Sequence, residues 1–172
     1  MVKRALPAAR SALRALALLF AGIAAGLALH LALATGDSVF SWQRPGNLGV
    51  NEGRLALPKT TPNCVYSQAD PADAEHYVAP IPFKGAAAQA VAAARKAVAA
   101  MQGATIIVQQ ERYLYAEFRS RIMRFVDDVE LVFDEKADLL HVRSASRLGR
   151  RDFGVNRARV EAIRARIEGR SS

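Results

Sequence analysis

The chain has 172 residues, 51% of them hydrophobic and 23% charged, with a formal net charge of +8 and one cysteine. That is a globular composition, large enough for one domain with a small appendage, and it excludes a disordered chain, an intrachain disulfide and a cysteine-based zinc site. Lys3, Arg4, Arg10 and Arg14 precede the first acid, Asp37; the remaining 20 Lys+Arg face 16 Asp+Glu and alternate with them, so no nucleic-acid partner is expected.

Residues 1–14 form a basic cytoplasmic segment. Residues 15–34 carry no formal charge and are broken only by His30. About 20 apolar residues at a helical rise of about 1.5 Å cross a hydrocarbon core of roughly 30 Å. The preceding arginines place the N-terminus in the cytoplasm and residues 35–172 on the periplasmic or extracytoplasmic side. The expectation is a single-pass anchor in the lipid bilayer of the cell envelope. Ala32-Leu33-Ala34 also fits a signal-peptide cleavage site, and cleavage after Ala34 would release the rest to the periplasm.

Residues 35–85 are turn-rich, with Arg44-Pro45-Gly46-Asn47-Leu48-Gly49, Pro58, Pro62, Pro71, Pro80 and Pro82. Their apolar residues, among them Val39, Phe40, Trp42, Leu55 and Val65, are too many for a free tether. An extended arm packed on the domain is expected. The core follows over 86–172. Ala86–Met101 is nearly all alanine and stops at Gln102-Gly103, which predicts a helix. Thr105–Gln109 is a short β-branched run. From Arg112 to Arg119, Tyr113, Tyr115 and Glu117 alternate with Leu114, Ala116 and Phe118. Asp128–Asp134 sets Val129, Leu131 and Phe133 against Glu130 and Val132; residues 134–138 turn; Leu139–Arg143 is the last strand. Val160, Ile163 and Ile167 recur at helical spacing, predicting a helix over 156–168 with Asn156 as its N-cap. Short loops between strands imply antiparallel neighbours, and two helices can cover one sheet face. The predicted fold is α+β, a two-layer sandwich with an antiparallel sheet of about four strands and two covering helices, preceded by one transmembrane helix.

Three groups could carry chemistry. On a strand, Asp128 and Glu130 share a face and Asp127 looks the other way. Such paired carboxylates can act as acid and base or hold a cation, or else pair with Arg143 and Arg147 on the next strand. Arg143-Ser144-Ala145-Ser146-Arg147 sets two guanidinium forks among hydroxyls, the pattern for bidentate binding of a phosphate or carboxylate. Asn156 and Arg157 stand at a helix start, where free N–H groups attract an anion. Cys64 could be a nucleophile only with a base such as His76 or His141 in reach; Cys64, His141 and Asp128 are the catalytic candidates. No metal site is expected from His30, His76 and His141, which are far apart, and no cofactor is expected.

Asn63-Cys64-Val65-x-Ser67-Gln68, Phe125-Val126-Asp127-Asp128-Val129-Glu130 and Arg143-Ser144-Ala145-Ser146-Arg147-x-Gly149-x-x-Asp152-x-Gly154-Val155-Asn156-Arg157 together resemble the bacterial and plant domain-of-unknown-function family numbered 1499. The resemblance spans about residues 44–168. Arg44-Pro45-x-Asn47-Leu48-Gly49 also fits, whereas Tyr66 stands where the family commonly has a serine. It implies a membrane-associated or exported domain and names no substrate. With no complete catalytic motif, the expected function is a non-catalytic envelope module. It would bind a polar or anionic ligand, or an envelope protein, through Asp127, Asp128, Glu130, Arg143, Ser144, Ser146, Arg147, Asn156 and Arg157. The alternatives are a hydrolase or transferase using Cys64 or the acids Asp127, Asp128 and Glu130, and a purely structural interaction module.

Overall fold

The computed structural model describes residues 17–24, 26, 43–57 and 59–169. Two units are distinct, Met1–Val39 and Phe40–Ser172. In the first, residues 17–24 and 26 are helical. The rest of the expected membrane span, and the basic segment before it, lie outside the described residues. Among the described residues, no helix is long and apolar enough to cross a membrane.

The second unit is α+β. Its strands are β1 (Val50–Asn51), β2 (Arg54–Leu55), β3 (Cys64–Tyr66), β4 (Ile81–Pro82), β5 (Ala104–Gln109), β6 (Tyr113–Arg119), β7 (Val126–Asp134) and β8 (Leu139–Ser146). Its helices are α1 (Ala87–Ala99) and α2 (Val155–Ile167). β1 and β2 form a separate hairpin. The main sheet runs β3-β8-β7-β6-β5, and β4 also pairs with β8. Every strand pairing in it is antiparallel.

The four expected strands are β5 to β8; the sheet is larger, with six strands. The two additions come from the proline-rich arm. Cys64–Tyr66 and Ile81–Pro82 are too short to show an alternating pattern, and they become strands only by pairing with successive parts of one β8 edge. The arm therefore contributes part of the sheet as well as packing on it.

α1 forms because alanine loses almost no side-chain entropy in a helix. Ala87, Ala90, Val91, Ala94, Ala97 and Val98 are its buried stripe. Gln89 Oε1 accepts the Ala86 backbone N–H at 3.1 Å, steadying the first turn. Gly103 takes φ +80° in the turn to β5, where a Cβ would come within 2.4 Å of the Arg119 carbonyl oxygen. The helices cover the sheet face bearing Val65, Leu114, Ala116, Val129, Leu131, Leu140 and Val142, a single buried apolar core. Phe83 meets Phe133 edge to face at 6.0 Å. On the opposite face Leu55, Tyr66, Tyr113, Tyr115 and Val132 form a second cluster under the arm.

α2 starts one residue before the expected Asn156, and Asn156 is not its cap. Gly154 is the N-cap residue and has no capping side chain. Phe153 and Gly154 both take positive φ, reversing the chain so that Asp152 lies over the helix start. The Asp152 carboxylate accepts the Asn156 N–H at 2.7 Å and the Gly154 N–H at 3.2 Å. Asn156 is thereby inside the first turn and fully buried.

Candidate functional site

The residues singled out from sequence fall on opposite faces of the sheet. On the arm-covered face, register aligns Cys64, Ala145, Asp128 and Glu117 across four strands. The next row is Tyr66, Arg143, Glu130 and Tyr115. Arg147 extends the β8 side of this pattern. Its Nε reaches both Asp128 oxygens at 3.0 and 3.1 Å, and its Nη2 reaches Asp128 at 2.7 Å and Glu117 at 2.6 Å. Tyr115 donates its hydroxyl to Asp128 at 2.7 Å. Arg44 grips Glu117 through Nη2 at 2.7 Å and Nε at 3.1 Å, and lies 5.4 Å above the Tyr115 ring. Glu130 accepts from Tyr113 at 2.7 Å, from the Gly49 backbone N–H at 2.7 Å and from Arg143 at 3.0 Å.

This is a charge-paired network: Glu117, Asp128 and Glu130 against Arg143 and Arg147 in the interior and Arg44, half-exposed, at its edge, with Arg119 3.9 Å from Glu117. Asp128, Glu130 and Arg143 are at most 2% exposed. Burial alone would push the Glu117 carboxyl up, but the hydrogen bonds from Arg44 and Arg147 outweigh it and hold the pKa at about 2. Burial, then hydrogen bonding to Asp128, pushes the Tyr115 hydroxyl well above its ordinary value. Tyr113 is raised by burial and then by Glu130. For Arg147, burial disfavours the charge, but Asp128 and Glu117 more than compensate and raise its pKa. The Arg143 Nε is buried and has no hydrogen-bond partner among the described residues.

The helix-covered face holds a second polar cluster. Asn156 Nδ2 donates to Ser146 Oγ at 2.9 Å and to the Asn63 carbonyl at 3.0 Å. Its Oδ1 accepts from Ser144 at 2.6 Å and from Arg159. Arg159 also binds Asp127 at 2.6 Å and lies 4.7 Å over the Phe118 ring. Asn63 is fully buried and donates to the Gly149 carbonyl at 2.7 Å. Asp127, Ser144, Ser146 and Asn156 thus pin α2 and the β8 end to the sheet. Arg157 is apart from both clusters; it donates to the carbonyls of Tyr77, Ala74 and Glu75.

The structure does not bring the catalytic candidates together. Cys64 and Asp128 are separated by the β8 strand, about 10 Å at ordinary strand spacing, and His141 lies four residues along β8 from Ala145, about 13 Å. Cys64 is fully buried, with its thiol directed to the Val65 carbonyl at 3.8 Å. Burial raises its pKa, and Arg143 only partly offsets this. His141 Nδ1 is 3.3 Å from Ser67 Oγ, and burial lowers its pKa. Among the described residues, no group of three or more His, Cys, Asp or Glu could hold a metal ion.

Six residues of these clusters escaped the sequence reading as site members: Glu117, Tyr113, Tyr115, Arg44, Asn63 and Arg159. The alternation of Tyr113, Tyr115 and Glu117 was a usable signal, since it puts all three on the Glu130 face. Arg44 and Arg159 come from elements whose placement no local pattern predicts.

An arginine-lined concavity of this unit lies elsewhere. A groove of about 870 Å³ runs between the α1–β5 turn, the β6–β7 hairpin and α2. Arg119, Arg121, Arg124, Arg159 and Arg166 line it with a single acid, Asp127, which Arg159 already neutralises.

A family model described as "Protein of unknown function (DUF1499)" matches residues 54–167, well over half of the chain. None of the curated proteins and none of the solved structures matches it.

Proposed function

The chain belongs to the DUF1499 family, and on that footing we propose that it is a non-catalytic envelope module, tethered through residues 15–34, that binds an anionic partner through arginines. One observation carries the binding part. Five arginines line the groove with one acid; Arg159 pairs with that acid, Asp127, and Arg119 lies 3.9 Å from Glu117, while Arg121 and Arg166 are exposed at the groove with no acid of its lining left to pair with them. Arginine presents a fork of donors suited to phosphate or carboxylate, and it keeps its charge at any physiological pH. In this reading Arg143 and Arg147 build the scaffold, and Arg121 and Arg166, both exposed, meet the ligand. The tether rests on the apolar run and its basic start.

The test uses full-length protein in neutral detergent with inorganic polyphosphate as a generic polyanion. Wild type should bind in a salt-sensitive manner. Arg121→Glu with Arg166→Glu should abolish binding while leaving the circular dichroism unchanged. Absence of wild-type binding, or binding indifferent to the double variant, would overturn the proposal.

A further inference from the structure

The rim of the arginine groove carries exposed apolar side chains. Arg119 pairs with Val126, and the Ser120 N–H donates to the Phe125 carbonyl at 2.9 Å, while Ser120 Oγ accepts the Phe125 N–H at 2.9 Å. These bonds close a tight hairpin whose tip is Arg121-Ile122-Met123-Arg124, with Arg124 at φ 58°. Ile122 is 82% exposed and Met123 48%. The second loop at this end of the sheet, between β8 and α2, presents Phe153 at 95% exposure, beside the exposed Arg150 and Arg151. Register places the two loops at the same sheet end, since Asp127 pairs with Ser146 and the Arg147 N–H donates to the Val126 carbonyl at 3.1 Å. Val155, at the start of α2, lines the same groove as Arg121 and Arg124.

Folded chains seldom leave an isoleucine and a phenylalanine this exposed, together, at the tips of two adjacent loops without a partner surface. Apolar tips flanked by arginines fit one kind of surface particularly well. The side chains enter the headgroup–acyl boundary, and the guanidiniums stay at the level of the lipid phosphates. We infer that the β6–β7 hairpin and the β8–α2 loop dock this domain onto an anionic lipid bilayer, with Ile122, Met123 and Phe153 inserted and the exposed Arg121, Arg150 and Arg151 on the phosphates. This rests on the anionic-partner reading above and names its occupant. Charge complementarity favours an anionic surface: the two loops present three exposed arginines, Arg121, Arg150 and Arg151, and one acid, Asp152, whose carboxylate is engaged at the α2 start. Insertion of the apolar tips beside phosphate-bound arginines is the arrangement of an interfacial membrane contact, and an acidic protein is the competing occupant that the crosslinking outcome tests.

The native thiol is buried, so a single fluorophore can be placed at the tip. Full-length Ile122→Cys carrying NBD is reconstituted into vesicles of phosphatidylcholine with and without phosphatidylglycerol. NBD emission should rise and shift to the blue only in the anionic vesicles. Arg121→Gln with Arg150→Gln should lower the docked-to-free ratio roughly 30-fold, as expected for two basic residues lost at an anionic surface. Phe153→Ser, at an exposed site that cannot unfold the core, should weaken docking as well. Equal emission in both vesicle types would overturn the inference. If emission is equal while polyphosphate still binds the groove, the anionic-partner reading stands and the lipid assignment falls. If neither occurs, both fall. Crosslinking of position 122 to an acidic protein, with no emission change in anionic vesicles, would also overturn the lipid assignment.

Discussion

At the scale of single residues, Arg147 organises the buried network, because Asp128 and Glu117 both depend on it. Removing one partner of a buried pair leaves the others charged and unsolvated, which costs about 3–5 kcal/mol. Arg147→Ala should lower stability by that amount, read from the urea midpoint at constant m-value. Glu117 gives the network a pH signature. Its folded pKa of about 2 lies below the ordinary 4.5, so the folded state keeps a charge that the unfolded chain gives up first. The stability it contributes is complete above pH 4.5 and is lost as pH falls through about 2. Glu117→Gln should therefore flatten the acid limb of a urea-midpoint curve across that window; an unchanged limb would show that Glu117 is not the titrating group. Cys64 should resist thiol reagents near neutral pH and react only on unfolding, and fast labelling of the folded chain would revive a nucleophilic role. Strand alternation already placed Asp128 and Glu130 together, with Asp127 opposite, and made Arg143 and Arg147 their natural partners. It could not weigh burial: the same residues in an open cleft would read identically.

At the scale of elements, local signals identified α1, β5 to β8 and α2, because alanine content and apolar periodicity act within a single segment. β3 and β4 were not legible, since two or three residues carry no period and their strand character is a property of the β8 edge. The turn at Gly103 is likewise more than a helix stop. Its positive φ and its approach to the Arg119 carbonyl leave no room for a side chain. Gly103→Ala should cost ~2 kcal/mol or more, seen as a lower thermal midpoint. Gly53→Ala is the control: its φ is also positive, but a Cβ there would meet nothing within 4 Å, so a smaller loss is expected. At α2, Asp152→Ala removes the acceptor for the Asn156 N–H and should cost about 1 kcal/mol. The sequence pointed to a cap in this neighbourhood but chose Asn156. Two consecutive positive-φ residues, Phe153 and Gly154, move the acceptor upstream, and side-chain type alone does not encode that reversal.

At the scale of the whole molecule, the proposed tether and the docking loops make separate predictions. A tethered chain stays with membranes at full length in high salt, whereas recovery of a shortened form beginning near Thr35 would show cleavage. Docking through residues 121–124 and 150–153 should instead weaken as salt rises, because exposed charges are screened. The sequence by itself determined the α+β class, the helix-facing core and the family signature, because periodicity and residue type are written along the chain. It also exposed a surplus of arginine near the C-terminus. Only the tertiary structure decided where that surplus is used. Folding placed Arg143 and Arg147 against buried carboxylates and Arg157 on loop carbonyls, and left Arg121, Arg150, Arg151 and Arg166 exposed. Burial and partnering depend on which distant strands and loops meet, and an arginine carries the same charge in every one of those places until the chain has folded.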